Sequence, residues 1–195
     1  MIEQFDVVIV GGGLVGASMA AALADSRLQV ALLEGRPPAA LPQDASWDAR
    51  IYAISPGNQR FLRDIGAWQR MDGARVAPVR QMQVRGDRKG SQLLLDAADA
   101  AASELASILE NRLLLDALWQ GLAQQPNLHI VSPCRPTRIE WGDDNALIAL
   151  DDGRTLACRL VIGADGANSW VRAQAGIEAK PDPYGQKGVV ANFAC

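Results

Sequence analysis

"VVIVGGGLVGASMAAAL", Val7 to Leu23, is the most apolar stretch of the chain and carries a glycine triplet near its front. It could be an export or membrane segment, a plain buried strand and helix, or the cradle of a nucleotide. An export signal needs a basic front, yet this stretch follows Glu3 and Asp6 and has no basic residue before Arg27. A membrane-spanning helix fits no better, because Gly11, Gly12, Gly13 and Gly16 would loosen it and Asp25 and Arg27 end it early. Phe5 to Val10 is instead an apolar run of strand length without polar alternation, the pattern of a parallel strand buried on both faces. A helix is expected from Leu14 to Asp25, its alanines allowing close packing on a sheet, and Leu28 to Glu34 reads as a second buried strand. Strand, glycine turn, helix and strand make one βαβ crossover.

Gly11, Gly13 and Gly16 satisfy G-x-G-x-x-G. The first glycine permits the tight turn, the second lets backbone approach a pyrophosphate, and the third lets helix and strand pack closely. The helix start at Leu14 and Val15 would offer unpaired N–H groups and a positive dipole end to phosphates. Glu34 stands at the end of the next strand, 18 residues beyond Gly16, followed by Gly35 and Arg36. A carboxylate there accepts hydrogen bonds from adenosine ribose hydroxyls and repels a phosphate on that ribose. FAD and NAD both carry an ADP moiety, so the turn alone does not separate them.

The bulk composition agrees with a globular protein. The chain has 195 residues, is 49% hydrophobic and has a formal net charge of -3, its 19 basic residues spread among 22 acidic ones without a long run of either sign. That distribution gives no electrostatic footprint for nucleic acid. Cys134, Cys158 and Cys195 have no metal-ligand spacing and read as unreactive free thiols of a reducing, cytoplasmic compartment. The single histidine, His129, is expected in a structural role at a strand start, and Ser18, Ser55 and Ser169 have no elbow or triad context. No residue qualifies as catalytic and none as a metal ligand.

Further along, Ser55 and Pro56 mark the N-cap and first position of a helix ending near Gly66. Val79 to Leu95 reads as a hairpin turning at "GDRKG", an element foreign to an alternating α/β layout. Ser107 to Gln124 reads as an amphipathic helix, with Ile108, Leu115, Leu118 and Leu122 at helical spacing. "NLHIVSP" and "TRIEWGDDNALIALDDGRTLACRLVIGADG" follow as short strands with tight turns, and "LVIGADGANSWVR" places Gly163, Asp165 and Gly166 between a strand and a helix begun by Ser169. The final "GVVANFAC" has a strand pattern.

Four stretches together, "DVVIVGGGLVGASMAAAL", "DARIYAIS", "ILENRLLLDALW" and "RLVIGADGANSWVR", resemble the N-terminal part of the single-component flavoprotein aromatic monooxygenases of the para-hydroxybenzoate hydroxylase superfamily. Within it they are most similar to the ubiquinone-biosynthesis hydroxylases of UbiH/UbiF/VisC type. The resemblance implies FAD as the held cofactor, NAD(P)H as co-substrate, and hydroxylation of a polyprenylated phenol by molecular oxygen, with peripheral association with the inner membrane surface or a biosynthetic complex. It implies that Asp165 and Gly166 help seat the FAD pyrophosphate, that Arg50 lies at the flavin side, and that Arg112 touches the phosphates. Other FAD-dependent chemistry on the same fold, halogenation or isoprenoid reduction, and an inactive nucleotide-binding module stay open as alternatives. The family's further G-D-A-A-H segment does not occur in these 195 residues. The expected architecture is α/β: a Rossmann-like FAD/NAD(P)-binding domain with a parallel sheet over residues 1–182. Residues 76–100 leave it as a hairpin toward a substrate domain, whose sheet begins with a final strand in 183–195.

Overall fold

Residues 2–10 are extended because a run of β-branched and apolar side chains finds a partner strand on either edge. The structure, a computed structural model, describes residues 2–44, 46–88 and 90–193. In chain order the elements begin with β1 (Ile2–Val10), α1 (Leu14–Ala22), β2 (Val30–Leu33), β3 (Ile51–Ile54), α2 (Pro56–Asp64) and β4 (Ala77–Val79). The hairpin strands β5 (Gln81–Arg85) and β6 (Gln92–Asp96), then β7 (Ala106–Glu110) and α3 (Asn111–Leu122), follow. The last are β8 (Leu128–Val131), β9 (Pro136–Trp141), β10 (Ala146–Leu150), β11 (Thr155–Gly163) and α4 (Trp170–Gln174).

The contacts divide the chain into two compact units. The first comprises Met1–Ala40 and Leu118–Val189 and is built on a six-stranded sheet of order β8-β2-β1-β11-β10-β9. Strands β8, β2, β1 and β11 run parallel, while β10 and β9 turn back antiparallel, so the sheet is mixed at one side. Register aligns Val10 with both Leu33 and Gly163, and Leu33 with Val131. The four parallel strands therefore end level, and the loops that follow them emerge at one edge. On one face α1 buries Ala17 and Ala20 completely, small side chains that let helix and sheet approach closely. The other face is a cluster that includes Val8, Leu33, Ile148, Leu156 and Cys158. Cys134 and Cys158 are free and buried, and burial pushes each thiol up to about 11, so both stay protonated at neutral pH. Cys195 lies outside the described residues. His129 is in β8 with its ring 5.8 Å from that of Phe5.

The second unit, Leu41–Ala117 with the chain from Val190, holds a three-stranded antiparallel sheet in which β7 is central between β3 and β4. Here the expected helix over Ser107–Gln124 is corrected: Ala106–Glu110 is a strand, and the helix starts at Asn111. Ile108 falls at helical spacing, but hydrogen bonding on both edges of the strand outweighs that local periodicity. The helix then buries Leu113, Leu114, Ala117, Leu118 and Leu122, with Leu115 only half-buried. Ser55 caps α2 by accepting from the Asn58 amide at 3.4 Å, with Pro56 at the first position as expected. The expected hairpin forms, Gln81 opposite Asp96 through Arg85 opposite Gln92. One of its faces presents Met82, Val84, Leu93 and Leu95, all exposed. The expected strand near the end is not formed among the described residues, since 186–193 join no ladder and a strand is defined by its partner.

Glu110, 1% exposed, is the charged centre of the second unit. It accepts from the Asp48 amide at 2.6 Å, from Arg75 Nε at 2.7 Å and from Arg112 Nε at 3.0 Å. Burial opposes its ionisation, but the Asp48 amide and the Arg75 and Arg112 guanidinium groups outweigh that and hold its carboxyl below the usual glutamate range. A depressed folded-state value means that its contribution is complete above the ordinary glutamate pKa of about 4.3 and is lost as pH falls through the lower folded value. Glu110→Gln is expected to lose about 2–3 kcal/mol at pH 7 in urea unfolding, the gap from wild type closing below about pH 4.

Candidate functional site

The level ends of β1, β2, β8 and β11 place four loops side by side, where ligands bind in open α/β sheets. The Gly11 loop and the Ala164 loop meet backbone to backbone. Gly11 adopts φ +104°, and a Cβ there would stand 2.5 Å from the Ala164 carbonyl oxygen, so both conformation and space demand glycine. The Ala164 amide donates to the Val10 carbonyl at 2.8 Å. Two motifs that lie about 150 residues apart in sequence are thereby one surface.

The three glycines of the turn differ in what surrounds them. A Cβ on Gly16 would lie 1.8 Å from the Gly11 carbonyl oxygen, so its absence lets α1 sit against the turn. A Cβ on Gly13 would meet nothing within 4 Å, and Gly13 lines a cavity. Gly13 is also the N-cap of α1, without a side-chain cap, and the first-turn amides that follow, including those of Leu14 and Val15, have no carbonyl within the helix to bond.

Glu34 is turned toward this loop. Its Oε2 accepts from the Gly12 amide at 2.6 Å and its Oε1 from the Arg36 amide at 2.8 Å. Each oxygen keeps a second lone pair, which a ribose hydroxyl can use. Gly12 is buried, and its carbonyl accepts from Trp119 Nε1 at 2.9 Å. Across the cavity, Asp165 accepts from the Ser169 hydroxyl at 2.5 Å and from the Trp170 and Val171 amides at 2.6 and 3.1 Å. Burial disfavours its charge, yet the Ser169 hydroxyl and these amides at the start of α4 hold its carboxyl below the usual aspartate range. Asp165 is therefore ionised at neutral pH and braces the loop that ends at Gly166, a residue at φ +89°.

The cavity measures about 540 Å³. Of the residues expected at the cofactor, Gly11, Gly13, Glu34, Gly35, Asp165 and Gly166 line it. Gly16 lies behind the turn, Leu14 and Val15 supply first-turn amides, and Arg36 gives its amide to Glu34. Arg50 and Arg112 belong to the second unit. There Arg50 is exposed, with its guanidinium 5.9 Å from the Tyr52 ring, and Arg112 is engaged by Glu110 and by the Ser46 carbonyl and hydroxyl. Three lining residues lie outside the quoted stretches: Cys134, Arg135 and Pro136. Gly12 and Trp119 lie inside them without an expected role at the cofactor. Gly12 carries a signal as the middle of a triplet, and Trp119 closes the quoted stretch ILENRLLLDALW, where its spacing reads only as an apolar helix position.

An ADP-bearing dinucleotide fits this donor set. The open Cβ direction at Gly13 leaves room for a phosphate beside a helix start, and Glu34 retains acceptor capacity for a ribose hydroxyl. Fold and site thus define a dinucleotide-binding domain. Residues 4–191 match the FAD binding domain, and the chain belongs to that family, so FAD is the dinucleotide. It is similar to the mitochondrial ubiquinone biosynthesis monooxygenase COQ6 of Drosophila melanogaster, 36% identical over 200 residues, covering 98% of the chain and 42% of that protein. It is likewise similar to the ubiquinone hydroxylase UbiL of Rhodospirillum rubrum, at 39% identity over 186 residues, covering 95% of the chain and 42% of that protein. The chain thus spans less than half the length of these relatives. Among solved structures, p-nitrophenol 4-monooxygenase PnpA of Pseudomonas putida superposes with a TM-score of 0.72 at 24% identity, over 89% of this chain and 44% of that one, which shows a shared fold.

The second and third glycines of the turn separate stability from binding. Gly16→Ala must displace the Gly11 carbonyl and is expected to cost at least about 2 kcal/mol in thermal or denaturant unfolding. Gly13→Ala is expected to unfold within about 0.5 kcal/mol of wild type while weakening FAD binding at least tenfold in a flavin-fluorescence titration.

Proposed function

We propose that the chain is the nucleotide-binding part of an FAD-dependent, NAD(P)H-using monooxygenase that hydroxylates the aromatic ring of a polyprenylated phenol in ubiquinone biosynthesis. The observation that carries the reading is the cavity at the strand ends, where Gly13 leaves its Cβ direction open between Glu34 and the Asp165 loop. The activities for which these relatives are named, ubiquinone hydroxylation and ubiquinone biosynthesis, support the choice of substrate.

When bound, FAD supplies the redox chemistry, taking electrons from NAD(P)H and activating oxygen. The residues of this chain bind and orient. Glu34 would receive the adenosine ribose, with Gly35 and Arg36 beside it, and the amides from Gly13 through Val15 would receive phosphate. Asp165 and Gly166 would bound the same cavity from the opposite motif. We assign Arg50 to the flavin side and Arg112 to a phosphate, the latter at the expense of its bonds to Ser46. A guanidinium suits either task because it is always charged and binds two oxygens at once. No side chain is assigned a proton transfer.

We further assign the hairpin of residues 76–100 and the segment 183–195 to the substrate side of the enzyme. Among the described residues no helix is long and apolar enough to cross a membrane. A polyprenylated substrate partitions into lipid, which favours peripheral attachment at the inner membrane or within a biosynthetic complex.

The full-length enzyme carrying this chain is expected to purify yellow, with a flavin absorption band. A prenylated phenol should stimulate its NADH or NADPH oxidation and be recovered as a product heavier by one oxygen atom. Absence of that product across the ubiquinone precursors would sink the reading.

A further inference from the structure

Gly12 is held at both ends of its backbone. Its N–H donates to Glu34 at 2.6 Å, and its carbonyl accepts from the indole N–H of Trp119 at 2.9 Å. The space at its α-carbon is closed as well, since a Cβ would lie 2.7 Å from Trp119 Cζ2 and 3.1 Å from Glu34 Cβ. Trp119 sits on α3, more than a hundred residues from the turn in sequence, so this contact is tertiary. Its indole is the side-chain donor that the Gly12 carbonyl has among the described hydrogen bonds.

The Gly12 carbonyl shares a planar peptide with the amide of Gly13, and in a trans peptide the two point in opposite directions. Whatever fixes the carbonyl also fixes the amide. Gly13 lines the cavity and caps α1, and its neighbouring space is open. We infer that Trp119 is a positioning residue of the dinucleotide cradle: by holding the Gly12 carbonyl it locks the Gly12–Gly13 peptide, so that the Gly13 amide faces away from the indole in the form that receives phosphate. The inference rests on the functional reading above for the identity of the ligand, but not for the state of the loop. Trp119 touches no part of the ligand in this account. It acts through Gly12, as Glu34 does from the amide side. A glycine-rich turn would otherwise sample several peptide orientations, and binding would have to select one.

The test removes a single hydrogen-bond donor. β-(3-Benzothienyl)alanine at position 119 keeps the ring shape and loses the N–H, 7-azatryptophan keeps both, and Trp119→Phe provides a genetically encoded second variant. In the ligand-free protein, hydrogen exchange of the Gly12 amide, which Glu34 protects, is expected to speed up about tenfold with benzothienylalanine or phenylalanine, while 7-azatryptophan behaves as wild type. FAD titrated by flavin fluorescence should bind about fivefold more weakly to the same two variants, with the melting temperature of the benzothienylalanine protein unchanged within about 1 °C. Unchanged loop exchange would overturn the inference, as would affinity that falls only in step with melting temperature, the mark of a packing role. The exchange measurement needs no ligand. It decides the inference even if the chain fails to bind FAD, a result that would count against the functional reading alone.

Discussion

Parallel pairing of β1 on both edges is the constraint from which the rest follows. Because Val10 aligns with Leu33 on one side and Gly163 on the other, the turns after β1, β2 and β11 have no choice but to share an edge. Helix α1 then leaves that edge backward over the sheet, which requires Gly16 beneath it and completely buried alanines along it. The cavity is thus the by-product of strand register. Its walls are main chain from loops whose ends are tied down, which is why it can be shaped with so few polar side chains.

The charges of the two units are handled in the same way. Glu34 and Asp165 are spent largely on backbone amides, and Glu110 on one amide and two guanidinium groups. In each case a carboxylate replaces solvent for donors that a turn or helix start would leave unsatisfied. The consequence for Glu34 is a double duty, as brace for the glycine turn and as the acceptor facing a ribose. Such an arrangement keeps the acceptor in place before any ligand arrives, and lowers the ordering cost of binding.

Much of this was legible in the sequence where the determinants are local. The glycine spacing, the buried strands on either side of it, the cap at Ser55–Pro56, the hairpin, and the turn at Gly163–Gly166 are each dictated by residues within a few positions of one another. Six of the residues singled out for a cofactor line the cavity. What escaped was tertiary in origin. Ala106–Glu110 carries a residue at helical spacing and becomes a strand because β3 and β4 pair with it from elsewhere in the chain. Trp119 is one more aromatic on an apolar helix face until the fold brings it to Gly12. The commitment of Arg112 to Glu110 and Ser46 likewise depends on a loop more than sixty residues upstream.

Gly13 and Gly16, one helical turn apart, answer to different demands. The second is required by the main chain around it, the first only by what the cavity must admit. Natural selection therefore sees them separately: one is guarded by the need to fold, the other by the need to bind. In a lineage that gave up its dinucleotide and kept the scaffold, position 13 would be the first to drift, while position 16 stayed glycine. A descendant's residue at position 13 would then serve as a fossil record of whether its cavity is still in use.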